Sequence, residues 1–389
     1  MEKRLEMAQQ AQDGIQSNAI NEVVDTKKKG RVIFASQLRA IAFLSVVAVH
    51  WLGIYSLNPT FISSVTGAPD VSTGNSAYYI SILPPLPYFN YGPFGVSIFF
   101  IISGFVLTYS MRNKSPLGYL FARIIRIYPT YIVCSLIMLA VFTASNIFWG
   151  SANSISMDRF IYNITLLASI FNYGSIDYVN WTLSIEIKFY ITCLLVYGAI
   201  RSANIIKLLC IPISVFAITF FTANLGLGSS QQGFFSFDAL KIEFMYISYM
   251  TLGILLNFYF EKRINTGEFI ASTMMTAILV GMTWKCGPQS NQFIEVGVNY
   301  IYGYIVFLIA MLLNDYFKEV RPLSFLANIS YSFYALHSVI GYCIIRFLTG
   351  SGFSYLVSLI AAFSIVTTLA YLMHITIEKK SINIGRTLK

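Results

Sequence analysis

Apolar runs of about bilayer length recur ten times between residues 32 and 378, at about 32–56, 93–111, 128–148, 181–200, 205–224, 242–260, 266–284, 296–314, 323–348 and 354–378. A segment in hydrocarbon must satisfy its own backbone hydrogen bonds, so each run reads as a helix. The predicted class is all-α, a polytopic integral membrane protein of about ten transmembrane helices. Composition agrees: 56% of residues are hydrophobic and 11% charged, against roughly a quarter charged in soluble domains. The run 160–171 is too short to span and is expected to lie at the interface or to re-enter the protein.

Lys and Arg in short loops set the orientation. Lys27, Lys28, Lys29 and Arg31 precede the first run, while loop 57–92 holds no Lys or Arg and is expected outside. Both termini are then cytoplasmic, with a polar tail at 1–31, a membrane domain at 32–378 and a basic tail at 379–389. The tail has no cleavable signal pattern. The net charge of +9 is mostly this bias, scattered over loops, so nucleic acid is not an expected partner. Five cysteines without a CxxC pair predict neither a disulfide framework nor a zinc site, and no metal is expected.

Ionisable groups within spans are the functional candidates. In "RAIAFLSVVAVH", Arg39 and His50 are eleven positions apart, which puts them about 20° apart on one helical face and about 16 Å apart along the axis. Arg39 could also snorkel to the inner interface, and His50 could rest in the outer headgroup zone. In "NWTLSIEIKFY", Glu186 lies about two turns into a span that starts outside. That is the depth of His50, where a carboxylate could orient an imidazole. Trp181 in the same stretch is a further candidate. Pairing of Glu186 with Lys188 is disfavoured, because residues two apart point to different sides of a helix.

In "FARIIRIYP", Arg123 and Arg126 share a face at the cytoplasmic mouth of a span and could hold phosphates. In "NISYSFYALH", His337 is too deep to snorkel, with Tyr334 on its face and Tyr331 roughly so. His374 is expected at the interface. In "FGVSIFFIISGF", Gly95, Ser103 and Gly104 would let a helix or a thin ligand chain come close. No Walker loop, GxSxG elbow or HExxH occurs.

Taken in order, these five stretches resemble the membrane acyltransferase-3 family, whose members acylate extracytoplasmic carbohydrates such as O-antigen or exopolysaccharide. The resemblance covers about residues 32–380 and implies the stand-alone type, without a fused SGNH domain. It implies a bacterial inner (plasma) membrane location, acetyl-CoA as acyl donor, and a carbohydrate or lipid-linked glycan as acceptor. Arg39 and His50 match the family's essential pair, Glu186 its acidic residue and His337 its C-terminal histidine. Arg123, Arg126, Ser103 and Gly104 fall to the donor, although Ile124 stands where the family often has a second, adjacent arginine. Direct attack on the thioester and a route through acyl-His50 both fit. The alternative from another class is a transporter or flippase for a lipid-linked glycan, with the same charges lining a path.

Overall fold

The computed structural model describes residues 33–70, 88–225 and 235–388. The tail 1–31 and the middle of loop 57–92 lie outside the described residues.

Helix α1 (Ile33–Ala48) continues through a π-helical stretch, Val49–Ile54, and a last turn, Tyr55–Leu57. Helix α2 (Pro59–Thr66) follows, then α3 (Tyr91–Met111), α4 (Pro116–Trp149) and the short α5 (Met157–Ile164). Next come α6 (Trp181–Leu195), α7 (Tyr197–Ser202), α8 (Ile205–Asn224), α9 (Phe237–Phe260) and α10 (Thr266–Cys286). Helix α11 (Val298–Leu312) begins after a π-helical Phe293–Gly297, and α12 (Arg321–Gly350) follows it. The chain closes with α13 (Tyr355–Met373), a π-helical His374–Glu378 and α14 (Lys379–Thr387).

Among the described residues, nine helical rods are long and apolar enough to cross a membrane. The predicted run 181–200 is the exception. It is broken between α6 and α7 at Val196, whose φ of −106° and ψ of 22° leave the helical region. Exposed Phe220, Phe221, Met274, Ile278, Leu356 and Ile360 give α8, α10 and α13 apolar outer flanks. Such flanks suit contact with lipid tails.

Helix α3 is central and packs against α1, α9 and α11, while α12 packs against α1, α4 and α13. Its contact with α9 is backbone on backbone. A Cβ placed on Gly104 would lie 2.2 Å from the Met250 carbonyl oxygen, and one on Gly253 would lie 2.3 Å from that of Ile101. Gly104, expected to approach a donor, is thus used up in helix packing. Gly104→Ala should lower thermal stability in detergent by an overpacking cost of about 1–3 kcal/mol or more, because backbone must move. Gly281→Ala is the control: its Cβ would meet nothing within 4 Å, and its stability should hold or rise. Equal melting temperatures for Gly104→Ala and wild type would refute the packing assignment.

The segment between α5 and α6 is irregular yet buried at Leu166, Ile176, Asp177, Val179 and Asn180. Buried backbone outside a helix needs partners. Asp177 Oδ1 accepts the N–H groups of Val179 and Asn180 at 3.0 and 2.8 Å. Asn180 Nδ2 donates to Tyr131 and Asn163 at 2.9 and 2.8 Å. This braced segment lets α6 begin deep inside the protein. Trp181 meets Phe100, at the middle of α3, edge-on with ring centroids 6.3 Å apart. Thr182 meets Tyr334, thirteen residues into α12, about 20 Å along that helix.

Candidate functional site

Two cavities result, one around His50 and one around Arg39. His50 is the second residue of the π-helical stretch that extends α1. Such stretches add a residue to a turn and re-aim side chains, often at functional positions. His50 lines a cavity of about 1010 Å³ with Tyr178, Trp181, Tyr246, Tyr300 and Tyr334. Its Nδ1 lies 2.7 Å from the hydroxyl of Tyr342. With Nδ1–H donating to that oxygen, Nε2 is left as a base.

His337 stands behind His50, the two rings edge-to-face at 5.0 Å. It is fully buried and lines neither cavity. Its Nδ1 lies 2.8 Å from the Tyr334 carbonyl oxygen, so Nδ1 carries the proton. Its Nε2 then keeps a lone pair that meets no partner among the described residues.

The second cavity, of about 180 Å³, is lined by Arg39, Arg126, Ser103, Glu186, Tyr331, His374 and Glu378, among others. Ser103 donates to Glu186 Oε1 at 3.0 Å, and Tyr190 donates to the same oxygen. Glu378 Oε2 accepts from Ser332 at 2.7 Å and lies 3.1 Å from His374 Nδ1. Tyr331 donates to the Ile127 carbonyl at 2.7 Å.

Tyr334 lines both cavities. Its hydroxyl donates to the Val179 carbonyl at 3.1 Å and lies 2.9 Å from that of Thr182. One side chain, latched to the start of α6, is shared by the two chambers.

Two expectations need correction. Glu186 does not orient His50: because α6 starts near the middle of α3 and α12, Glu186 falls in the arginine cavity, and Tyr342 holds the imidazole. Arg123 and Arg126 do not act as a pair. Arg126 lines the cavity, whereas Arg123 is buried with its guanidinium carbon 5.3 Å from the Tyr190 ring centroid. His374, expected at the interface, lines the arginine cavity beside Glu378. The disfavoured Glu186–Lys188 pair is indeed replaced: Lys188 Nζ lies 2.9 Å from Glu243.

A family model described as an acyltransferase domain matches residues 33–375. The chain belongs to the acyltransferase-3 family. No curated protein and no solved structure matches it significantly.

As an acyltransferase of groups other than aminoacyl groups, the chain is an enzyme, and the transporter reading gives way. The match runs from the first residue of α1 into the π-helical stretch after α13, and so takes in nearly all of both cavity walls. Glu378 lies just beyond it. Sequence reasoning missed Glu378, Tyr190 and Tyr342 in the acyltransferase. The His374 and Glu378 spacing of four residues could have pointed to a shared helical face. Nothing local marks Tyr342, whose role arises only from the packing of α12 on α1.

Proposed function

We propose that this acyltransferase moves an acetyl group from acetyl-CoA across the bacterial inner membrane to a hydroxyl of an extracytoplasmic carbohydrate, such as O-antigen, exopolysaccharide or a lipid-linked glycan. The observation that carries the reading is the pair of cavities sharing Tyr334, one with two arginines and the other with a histidine base. Arg39 and Arg126 suit the anionic phosphates of CoA. His50 suits a sugar hydroxyl, a poor nucleophile until its proton is taken. In direct transfer the sugar oxygen bonds to the acyl carbon as His50 takes the hydroxyl proton. The carbon–sulfur bond breaks, CoA leaves as thiolate, and the thiolate is then protonated. Glu186 and Glu378 balance the arginine charges on the donor side.

The positive-inside bias places the Arg39 side in the cytoplasm, so donor and acceptor should be used on opposite faces. Inside-out vesicles given external labelled acetyl-CoA should acetylate lumenal glycan. Right-side-out vesicles given the same external donor should not. The reverse pattern would reject the two-sided reaction.

A further inference from the structure

Resting on the acyltransferase reading above, we propose that the sugar unit seated against His50 is uncharged, and that acidic sugars are rejected there. The described walls of the histidine cavity hold no Asp, Glu, Lys or Arg. The sequence stretches 71–87 and 226–234 contain none either. What the walls do offer is aromatic faces, from Phe61, Tyr178, Trp181 and Tyr246, and carboxamides, from Asn58, Asn90, Gln289 and Gln292.

Three of those amides have their oxygens committed within the protein. Asn58 accepts the Phe61 N–H at 3.1 Å, Asn90 accepts the Gly92 N–H at 3.0 Å, and Gln289 accepts the Tyr246 hydroxyl at 2.9 Å. Their NH₂ groups have no hydrogen-bond partner among the described residues. Each can donate to a hydroxyl oxygen, while the aromatic faces cover the apolar C–H face of a pyranose. A carboxylate brought here would lose water and gain no cation in return, which is strongly unfavourable. The arginines that could compensate it lie in the other cavity, beyond Tyr334.

The test uses the full-length protein in detergent with labelled acetyl-CoA. The acceptors are methyl glycosides of gluco-, galacto- and mannotriose, each beside its C6-oxidised uronate. The neutral member should have a kcat/KM about 10²-fold higher or more, the fold equivalent of leaving one buried charge unpaired. Gln292→Lys places a cation on the cavity wall, at an exposed position, and should shift the neutral-to-uronate ratio about 10-fold towards the uronate. Equal kcat/KM for both members, or a ratio that Gln292→Lys does not move, overturns the inference and leaves the acyltransferase reading standing. Acetylation of no member of any pair overturns the carbohydrate reading on which the inference rests.

Discussion

His50→Ala should lower acyl transfer by about 10²–10⁴-fold, the usual contribution of a positioned general base. The protein should still insert and fold, because the ring faces a roomy cavity on one side and is hydrogen-bonded to Tyr342 on the other. Melting temperature and detergent elution profile check the fold, and product formation from saturating acetyl-CoA checks the rate. The control is the orphaned nitrogen of His337. A base relayed through that buried ring would make His337→Gln as damaging as His50→Ala. We expect His337→Gln to cost stability first, since its Nδ1 proton bonds the α12 backbone. Near-normal transfer by His50→Ala would remove that residue from the chemistry.

Arg126→Ala should raise the KM for acetyl-CoA about 10–100-fold, equivalent to losing a charge-assisted hydrogen bond of about 1.5–3 kcal/mol. The KM for the acceptor should change much less. Arg123→Ala is the discriminating companion. Its guanidinium lies over the Tyr190 ring and lines neither of the two cavities, so its removal should lower the melting temperature and leave donor KM closer to wild type. The two arginines sit three residues apart, and only the burial of one separates their expected effects. A larger donor KM for Arg123→Ala than for Arg126→Ala would reverse the assignment.

The spans were legible because hydrocarbon imposes a length and a composition on every segment that crosses it. Arg39 and His50 were legible as candidates because ionisable groups are rare inside apolar spans. Legibility failed where the chain leaves the regular helix. Glu186 was placed by counting turns from an outer surface, but α6 starts at mid-protein, held there by the side-chain bonds of Asp177 and Asn180. The Asn180 bonds depend on Tyr131 and Asn163, which lie outside α6 in sequence. The break falls at Val196, while the nearby Gly198 sits inside the next helix and does not mark the break itself. Gly104 had two readings from sequence alone, a ligand approach or a helix contact, and only the facing Gly253 decides between them.

The tyrosine shared by the two chambers also has an electrical meaning. Where aqueous pockets reach in from both faces of a membrane, the voltage falls mainly across the thin wall between them. Tyr334, latched to Thr182 and Val179, would occupy that wall in the proposed two-sided reaction. In that reaction an acetyl group, being neutral, would cross it without electrical work, while the anionic nucleotide would stay on its own side. The hydroxyl proton is different. Returned by His50 to the leaving thiolate, it makes each turnover electroneutral. Released instead to the outer solution, it leaves one charge separated per acetyl group, against about 2.3 kcal/mol for every 100 mV of membrane potential. The proton's exit therefore decides whether an energised membrane slows the enzyme or leaves it indifferent.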